Sequence, residues 1–138
     1  MRHLKAGRKL GRNSTERRAL FRNMVTSLIE HGRVRTTDAK AKELRRYADR
    51  MITLGKQQTI AARRRARRFV QTDAAVARLF NDLAPLFAQR AGGYTRIIKV
   101  GQRPGDAAPI SILEFTELPP PPAPKPRRGA KSAATAES

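Results

Sequence analysis

Apolar residues recur at helical spacing along the first two thirds of the chain, and the earliest stripe predicts a helix that begins after Asn13. Asn13 can cap this helix because Glu16, three residues later, can complete a capping box. Gly32 is the expected stop, since glycine readily takes the left-handed conformation that ends many helices. The apolar stripe of this helix comprises Leu20, Phe21, Met24, Val25, Leu28 and Ile29.

A second helix is predicted from Thr37 and Asp38 to Gly55, after a segment, 33–36, that is long enough for one short strand only. Apolar positions three and four residues apart define its buried side, while Lys and Arg occupy most of the remaining surface. The buried side comprises Ala41, Leu44, Tyr47, Ala48, Met51 and Ile52.

Two more helices are predicted between residues 58 and 90. The first covers 58–70, and the second begins with Thr72 or Asp73 as its cap. Pro85 is expected to end or kink the second helix because proline has no backbone N–H, and 86–90 can form a last short turn. The two apolar sides comprise Ile60, Ala62, Ala66, Phe69 and Val70, and then Val76, Leu79, Phe80 and Leu83.

The pattern changes after Gly92 and Gly93, where 94–100 and 110–115 are rich in β-branched and aromatic residues and predict an antiparallel pair of strands. Together with 33–36 they can form a small mixed three-stranded sheet that has helices packed on one face, which is a two-layer α+β fold. From Pro119 the chain is a low-complexity segment rich in Pro, Ala, Lys and Arg. We therefore expect a basic arm over 1–12, a single globular α/β domain over 13–118 and a disordered tail over 119–138.

The formal net charge of +19 is concentrated in the first half of the chain. Residues 1–70 carry 21 Lys and Arg against 5 Asp and Glu, whereas residues 71–118 carry 5 of each kind. An excess this large is typical of a surface that binds a polyanion, and self-repulsion favours a partner that neutralises it.

Two segments concentrate this charge. The arm, 1–12, places glycines among its basic residues, which lets its backbone approach a phosphate surface; the alternative is a solubilising tail. Arginines within Arg63–Arg68 can bind phosphates through their planar fork of donors; the alternative is a solvated helix face. Tyr94 fits a core aromatic as well as a residue that contacts the polyanion. Arg96 and Lys99 alternate with apolar neighbours, so one or both should leave the core face and can contact a ligand; the alternative is ordinary solvation of a strand.

The composition argues against catalysis, metal binding and membrane insertion. Cys is absent, so disulfides and thiolate metal sites are excluded, and no apolar run has the length of a membrane span or a secretory signal. His3 and His31 lie in the arm and at a helix end. Lys and Arg interleave Asp38, Glu43 and Asp49, so ion pairing is the simpler interpretation of these carboxylates. We expect a protein of the cell interior that has no cofactor, no enzymatic activity and no small-molecule substrate.

Four blocks, in order along the chain, carry a family resemblance: MRH…GRKLGR, RNM…SLIEH, TTDAKAKELRR and GGYTRI.K…GDAAP. Over about residues 1–117 the chain resembles the bacterial large-subunit ribosomal protein L17 family. The sequence departs from the family at two places. Glu16 stands where the family often has His, and the tail extends beyond the family core.

The resemblance implies a two-layer α/β domain that binds large-subunit ribosomal RNA near the exit-tunnel side of a cytoplasmic ribosome. It implies a structural and assembly role in translation, contact with neighbouring large-subunit ribosomal proteins, and no enzymatic activity, cofactor or membrane. RNA shape would supply specificity, because side chains cannot read the deep major groove of A-form helices.

The predicted RNA-binding residues fall into three groups. The resemblance extends RNA contact to the arm, to the first two helices and to the first hairpin strand: Arg2, His3, Lys5, Arg8, Lys9 and Arg12; Arg18, Arg22, Lys40, Lys42, Arg45 and Arg46; Tyr94, Arg96 and Lys99. We add Arg35 from the short strand, and from the arginine cluster Arg63, Arg64, Arg67 and Arg68.

Two rival functions compete with RNA binding. The first is a DNA-binding, nucleoid-type protein whose helices mimic a helix-turn-helix, although the arm and the strand hairpin fit it poorly. The second is an RNA-processing nuclease, which needs an acid–base or metal constellation that the sequence does not display.

Overall fold

The computed structural model describes residue 3 and residues 6–119. Its elements follow the order predicted from the sequence, and the last predicted helix continues through a π-helical turn. In chain order they are α1 (Ser14–His31), β1 (Arg33–Thr37), α2 (Asp38–Gln57), α3 (Ile60–Phe69), α4 (Asp73–Arg78), the π-helical turn (Leu79–Leu83), α5 (Ala84–Leu86), β2 (Thr95–Gln102) and β3 (Pro109–Phe115). The predicted disordered tail lies, from residue 120 onward, outside this range.

The predicted caps at the starts of α1 and α4 are hydrogen-bonded, whereas Thr37 precedes α2 without a side-chain cap hydrogen bond. The side chain of Asn13 accepts a hydrogen bond from the backbone N–H of Glu16 at 2.8 Å, and the Glu16 carboxylate accepts one from the Asn13 N–H. Gly32 ends α1 in the left-handed conformation, with φ of 78°. At the start of α4 the cap is Thr72, whose hydroxyl accepts from the Ala75 N–H. These local signals therefore fix where α1 begins and ends and where α4 begins.

The prediction that Gly55 ends α2 is wrong. The helix continues to Gln57, and Gln58 caps it in the left-handed conformation, with φ of 53°. Gly55 is instead buried inside α2, where an added Cβ would lie 3.1 Å from the Cβ of Ala84. Glycine stands here because α2 and α5 approach each other closely, so its role is tertiary packing and not termination.

Pro85 does not end its helix. The N–H of Ala84 donates to the carbonyl of Leu79, five residues earlier, so one π-helical turn precedes the proline. The wider turn accommodates a residue that has no N–H, and the chain stays helical to Leu86. A further turn follows in which the Arg90 N–H donates to the Phe87 carbonyl at 3.0 Å, as predicted for this segment.

The three strands form one sheet in the order β1-β3-β2, and both pairs are antiparallel. The α+β class with helices on one face is confirmed, but the expectation of a mixed sheet is wrong. Strands β1 and β2 do run parallel to each other, yet β3 lies between them and pairs with both. Leu113 of β3 is opposite Val34 on one side and Ile97 on the other, at the centre of the sheet.

The core lies between this sheet and the helices, with α2 touching all three strands. Four of the five phenylalanines are fully buried, so the core is more aromatic than the low aromatic content suggests. Ile60, expected on the apolar side of α3, is 74% exposed because it stands in the first turn of the helix, outside the contact that Ala62 and Ala66 make with the core.

Candidate nucleic-acid interface

Helix α3 presents its arginines to solvent. Only Ala62 and Ala66 are fully buried, one turn apart, so a narrow stripe of small residues holds the helix against the core. The arginines occupy the rest of its surface and are all exposed: Arg63, Arg64, Arg65, Arg67 and Arg68.

Two of these arginines have partners within the domain. The guanidinium of Arg63 lies over the ring of Phe80, 5.0 Å from its centroid, and Arg67 Nη2 is 3.0 Å from the carboxylate of Asp73. Arg64, Arg65 and Arg68 make no ion pair with any residue in the described part of the chain. Their mutual repulsion is therefore not offset there, which favours an anionic ligand at this helix.

The last residues of the arm fold back onto the domain. Leu10 packs partly buried against the core in a left-handed conformation, with φ of 55°. The Arg12 N–H donates to the Lys9 carbonyl at 3.1 Å, and the Arg17 guanidinium donates to the Arg12 carbonyl at 3.2 Å. Leu10 of the basic arm thus contacts the core, because the turn after Lys9 directs this side chain inward.

The predicted RNA-binding residues of the arm occupy different environments. Arg2 and Lys5 lie outside the described residues. His3, Arg8 and Lys9 are exposed.

The folded end of the arm, residues 6–12, forms with α1 and α2 a pocket of about 440 Å³. This arm pocket is lined by five cations and one carboxylate: Arg8, Lys9, Arg17, Arg46, Arg50 and Glu43. Three of these cations were predicted, whereas Arg17 and Arg50 were missed. Arg50 could have been found, since Glu43, Arg46, Tyr47 and Arg50 follow one another at helical spacing.

A second basic cluster lies where β1 meets the tip of the β2–β3 hairpin. Arg35 and Lys40, both predicted, line a shallow pocket of about 310 Å³ together with Arg103. Arg103 was missed because only the pairing of β1 with β3 brings the hairpin tip to this edge. No local sequence signal indicates that contact.

The other predicted residues of α1 and α2 are partly engaged within the domain. Arg22 Nε donates to the carbonyl of Phe69 at 3.0 Å and so joins α1 to the end of α3. Lys42 Nζ lies 2.8 Å from Asp38. Arg45 Nε is 4.0 Å from Asp49, and Arg18 is exposed on α1.

The three predicted residues of the hairpin strand occupy different environments. Tyr94 is 2% exposed, with its ring edge-on to Phe87, so the structure places it in the core. Arg96 holds Glu114 through two nitrogens at 2.6 Å. Of the three residues predicted here, Lys99 alone is exposed without a hydrogen-bonded ion pair among the described residues. We leave Tyr94 and Arg96 out of the interface.

Over residue 3 and residues 6–119 there is no group of three or more His, Cys, Asp or Glu that could hold a metal ion. Within the same range no helix is long and apolar enough to cross a membrane. The fold and this surface define a class of protein, a small α+β domain that carries a broad cationic surface for a polyanion.

Comparison with known proteins names the family. The model of the family described as ribosomal protein L17 matches residues 20–116. The chain belongs to the ribosomal protein L17 family, whose members are structural proteins and not enzymes.

Three relatives bear the name large ribosomal subunit protein bL17. The protein of Pelobacter propionicus is 57% identical over 117 residues, which is 85% of this chain and 92% of the relative. That of Trichlorobacter lovleyi is 55% identical over 85% of this chain and 94% of its own length. That of Desulfosudis oleivorans is 51% identical over 97% of this chain and 64% of its own length.

Proposed function

We propose that this chain is a structural component of the bacterial large ribosomal subunit that binds large-subunit ribosomal RNA through its cationic surface. Family membership supports the ribosomal assignment, and relatives named as large-subunit proteins support the subunit. On this proposal the protein works in the cytoplasm, in bacterial ribosomes, and supports their assembly and translation.

The observation that carries RNA binding is the set of exposed arginines on α3 that have no ion-pair partner in the described residues: Arg64, Arg65 and Arg68. The basic linings of the arm pocket and of the cluster around Arg35 extend this surface. Phosphate contacts of this kind supply salt-dependent affinity, while the shape of the folded RNA supplies specificity.

The finer parts of the proposal concern position and organisation. We place the protein on the exit-tunnel side of the subunit, beside other large-subunit proteins, because the family resemblance implies this location. We also keep the division into a basic arm over 1–12, one domain over 13–118 and a disordered tail. A density map of an assembled particle that contains this chain tests all of these assignments at once.

The function is tested by replacing the native protein of a bacterial host with this chain and separating the cell lysate by sedimentation. We expect the chain to travel with the large subunit and to be released by high salt, since its affinity rests on phosphate contacts. Treatment with ribonuclease should shift it out of the large-subunit fraction, and treatment with deoxyribonuclease should not. Retention on DNA together with absence from the large subunit would instead establish the nucleoid-type alternative.

A further inference from the structure

The arm pocket is larger than the basic pocket around Arg35, Lys40 and Arg103, and the arm closes it on one side. Its volume of about 440 Å³ lies within the range of small-molecule ligand sites. A single phosphate group would fill only part of it. The pocket therefore has room for a whole nucleotide and not only for a backbone phosphate.

The charges around the arm pocket are arranged for an anion. Five cations against one carboxylate leave the lining with a net charge of +4. Glu43 lies between two of the arginines, 3.8 Å from Arg8 Nε and 3.7 Å from Arg46 Nη1, which is beyond ordinary hydrogen-bond length. The carboxylate thus holds the arm against α2 while the donor hydrogens of both guanidinium groups remain available for a phosphate.

The deeper lining is aromatic. Tyr47 is stacked between Phe21, at 4.6 Å between ring centroids, and Phe69, at 5.6 Å. Phe21 and Tyr47 both line the pocket, but the two faces of the Tyr47 ring are already covered. A base that enters therefore meets ring edges at the floor and can stack on the planes of the arginines, which is a common way of holding unstacked RNA bases.

We propose that the arm pocket binds one nucleotide of RNA that has left the helical stack, with its phosphate on Arg8, Arg46 and Arg50 and its base against the edge of Tyr47. This inference rests on the proposed RNA-binding function and deepens it. It makes the pocket selective for an extruded nucleotide, whereas the exposed arginines of α3 serve any phosphate backbone.

The first experiment titrates the full chain with adenosine and guanosine 5′-monophosphates and, separately, with inorganic phosphate, and follows backbone amide signals by NMR. Both nucleotides should shift the signals of residues 6–9 and 43–50, and each should bind at least about threefold more tightly than phosphate because the base adds its own contacts. Equal affinity for phosphate and nucleotide, or shifts confined to other residues, would overturn the proposal.

The second experiment compares a short RNA duplex with the same duplex carrying one bulged nucleotide. The wild-type chain should prefer the bulged RNA by on the order of tenfold. Arg46→Ala should abolish this preference, and Arg50→Ala should weaken it. Arg45→Ala removes the same charge from the same helix outside the pocket, so it should lower the affinity for both RNAs alike and keep the preference.

These outcomes separate the two proposals. If the wild-type chain binds neither RNA, the proposed function itself fails. If it binds both RNAs equally, RNA binding stands and the nucleotide pocket is overturned. Nucleotide binding without a preference for the bulged RNA would identify a site for free nucleotides, which also overturns the inference. Thermal melting of the variants checks folding, which should be retained because Arg45, Arg46 and Arg50 are exposed.

Discussion

Arginines in the two halves of this protein have different surroundings. In the C-terminal half three exposed arginines each hold a carboxylate: Arg90 with Glu117, Arg96 with Glu114 and Arg103 with Asp106. On α3, in the N-terminal half, Arg64, Arg65 and Arg68 hold none among the described residues. Paired arginines also occur in the basic half, for example Arg67 with Asp73, but the unpaired arginines of α3 stand together on one helix and offer all their donors to a ligand.

Neither the paired nor the unpaired arginines contribute much to the stability of the fold. An exposed ion pair contributes about 0 to 1 kcal/mol to the free energy of unfolding, even where it shifts the pKa of its carboxyl group. At the hairpin tip, for example, the hydrogen bond from Arg103 lowers the pKa of Asp106 to about 2. The stability of the domain comes instead from the apolar core between the sheet and the helices, to which both halves contribute.

The largest expected effect comes from the core at the central strand. Leu113→Ala should lower the free energy of unfolding by about 2 to 5 kcal/mol, because Leu113 is fully buried and its truncation leaves a cavity. Urea unfolding of the full chain measures this loss. A change below about 1 kcal/mol would mean that the core collapses around the cavity or that β3 is not its centre.

The next effect concerns the unpaired arginines. Replacing Arg64, Arg65 and Arg68 by Gln should lower RNA affinity by about tenfold or more and reduce the slope of log affinity against log salt by about 2 to 3. Stability should stay unchanged or rise by a few tenths of a kcal/mol, because the repulsion between Arg64 and Arg68 disappears. Filter binding at several salt concentrations and thermal melting provide the two measurements.

A charge-matched control in the other half sharpens this prediction. Replacing Arg90 and Arg96 by Gln removes two positive charges from paired arginines outside the interface, and RNA affinity should change by less than about threefold. If this variant weakened RNA binding as much as the replacement of Arg64 and Arg68 by Gln, total charge alone would govern affinity. The distinction between paired and unpaired arginines would then have no functional meaning.

Much of the helical part of the fold could be predicted from the sequence, because its signals are local. The cap at Asn13 and the stop at Gly32 lie next to the stripes that they delimit. Gly55, by contrast, looks like a stop but serves a contact with Ala84, about thirty residues later in the chain, which no window of sequence reveals. The antiparallel pairing of β2 with β3 was predicted, but the central position of β3 was missed for the same reason, since it depends on the pairing of β3 with β1, which lies far away in the chain.

The candidate site also has a part that local sequence signals predict and a part that depends on contacts between distant residues. The exposed arginines of α3 follow from composition, and the α2 wall of the arm pocket follows from the spacing of Glu43, Arg46 and Arg50. The wall formed by the arm could not be predicted from spacing, because it depends on Leu10 folding back onto the core. The sequence left two interpretations of Tyr94, a core residue or an RNA contact, and its burial next to β2 places it in the core.

A smaller effect is expected at the ion pair on the sheet. Arg96→Gln should lower the free energy of unfolding by less than about 1 kcal/mol, because the Arg96 side chain is exposed and its pairing with Glu114 is screened by solvent. RNA affinity should remain within about twofold of the wild type. Lys99→Gln, on the same strand, serves as the comparison and should reduce affinity more. The reverse ranking would return Arg96 to the interface.

The smallest effect is a pH dependence at the start of α2. Hydrogen bonds to Asp38 from Lys42 and then from Ser111 of β3 lower the pKa of this carboxyl below its ordinary value of 3.8. Because folding favours the ionised form, Asp38 stabilises the domain above pH 3.8, and this contribution disappears as the pH falls through the lowered pKa. Asp38→Asn should therefore be less stable than the wild type near neutral pH, and the two urea midpoints should converge in acid. Ser111→Ala should give a weaker form of the same dependence, since it removes one of the two hydrogen bonds. If the difference in stability between wild type and Asp38→Asn persisted unchanged into acid, Asp38 would act through its shape and not through its charge. The contact that Asp38 makes between α2 and β3 would then not stabilise the domain electrostatically.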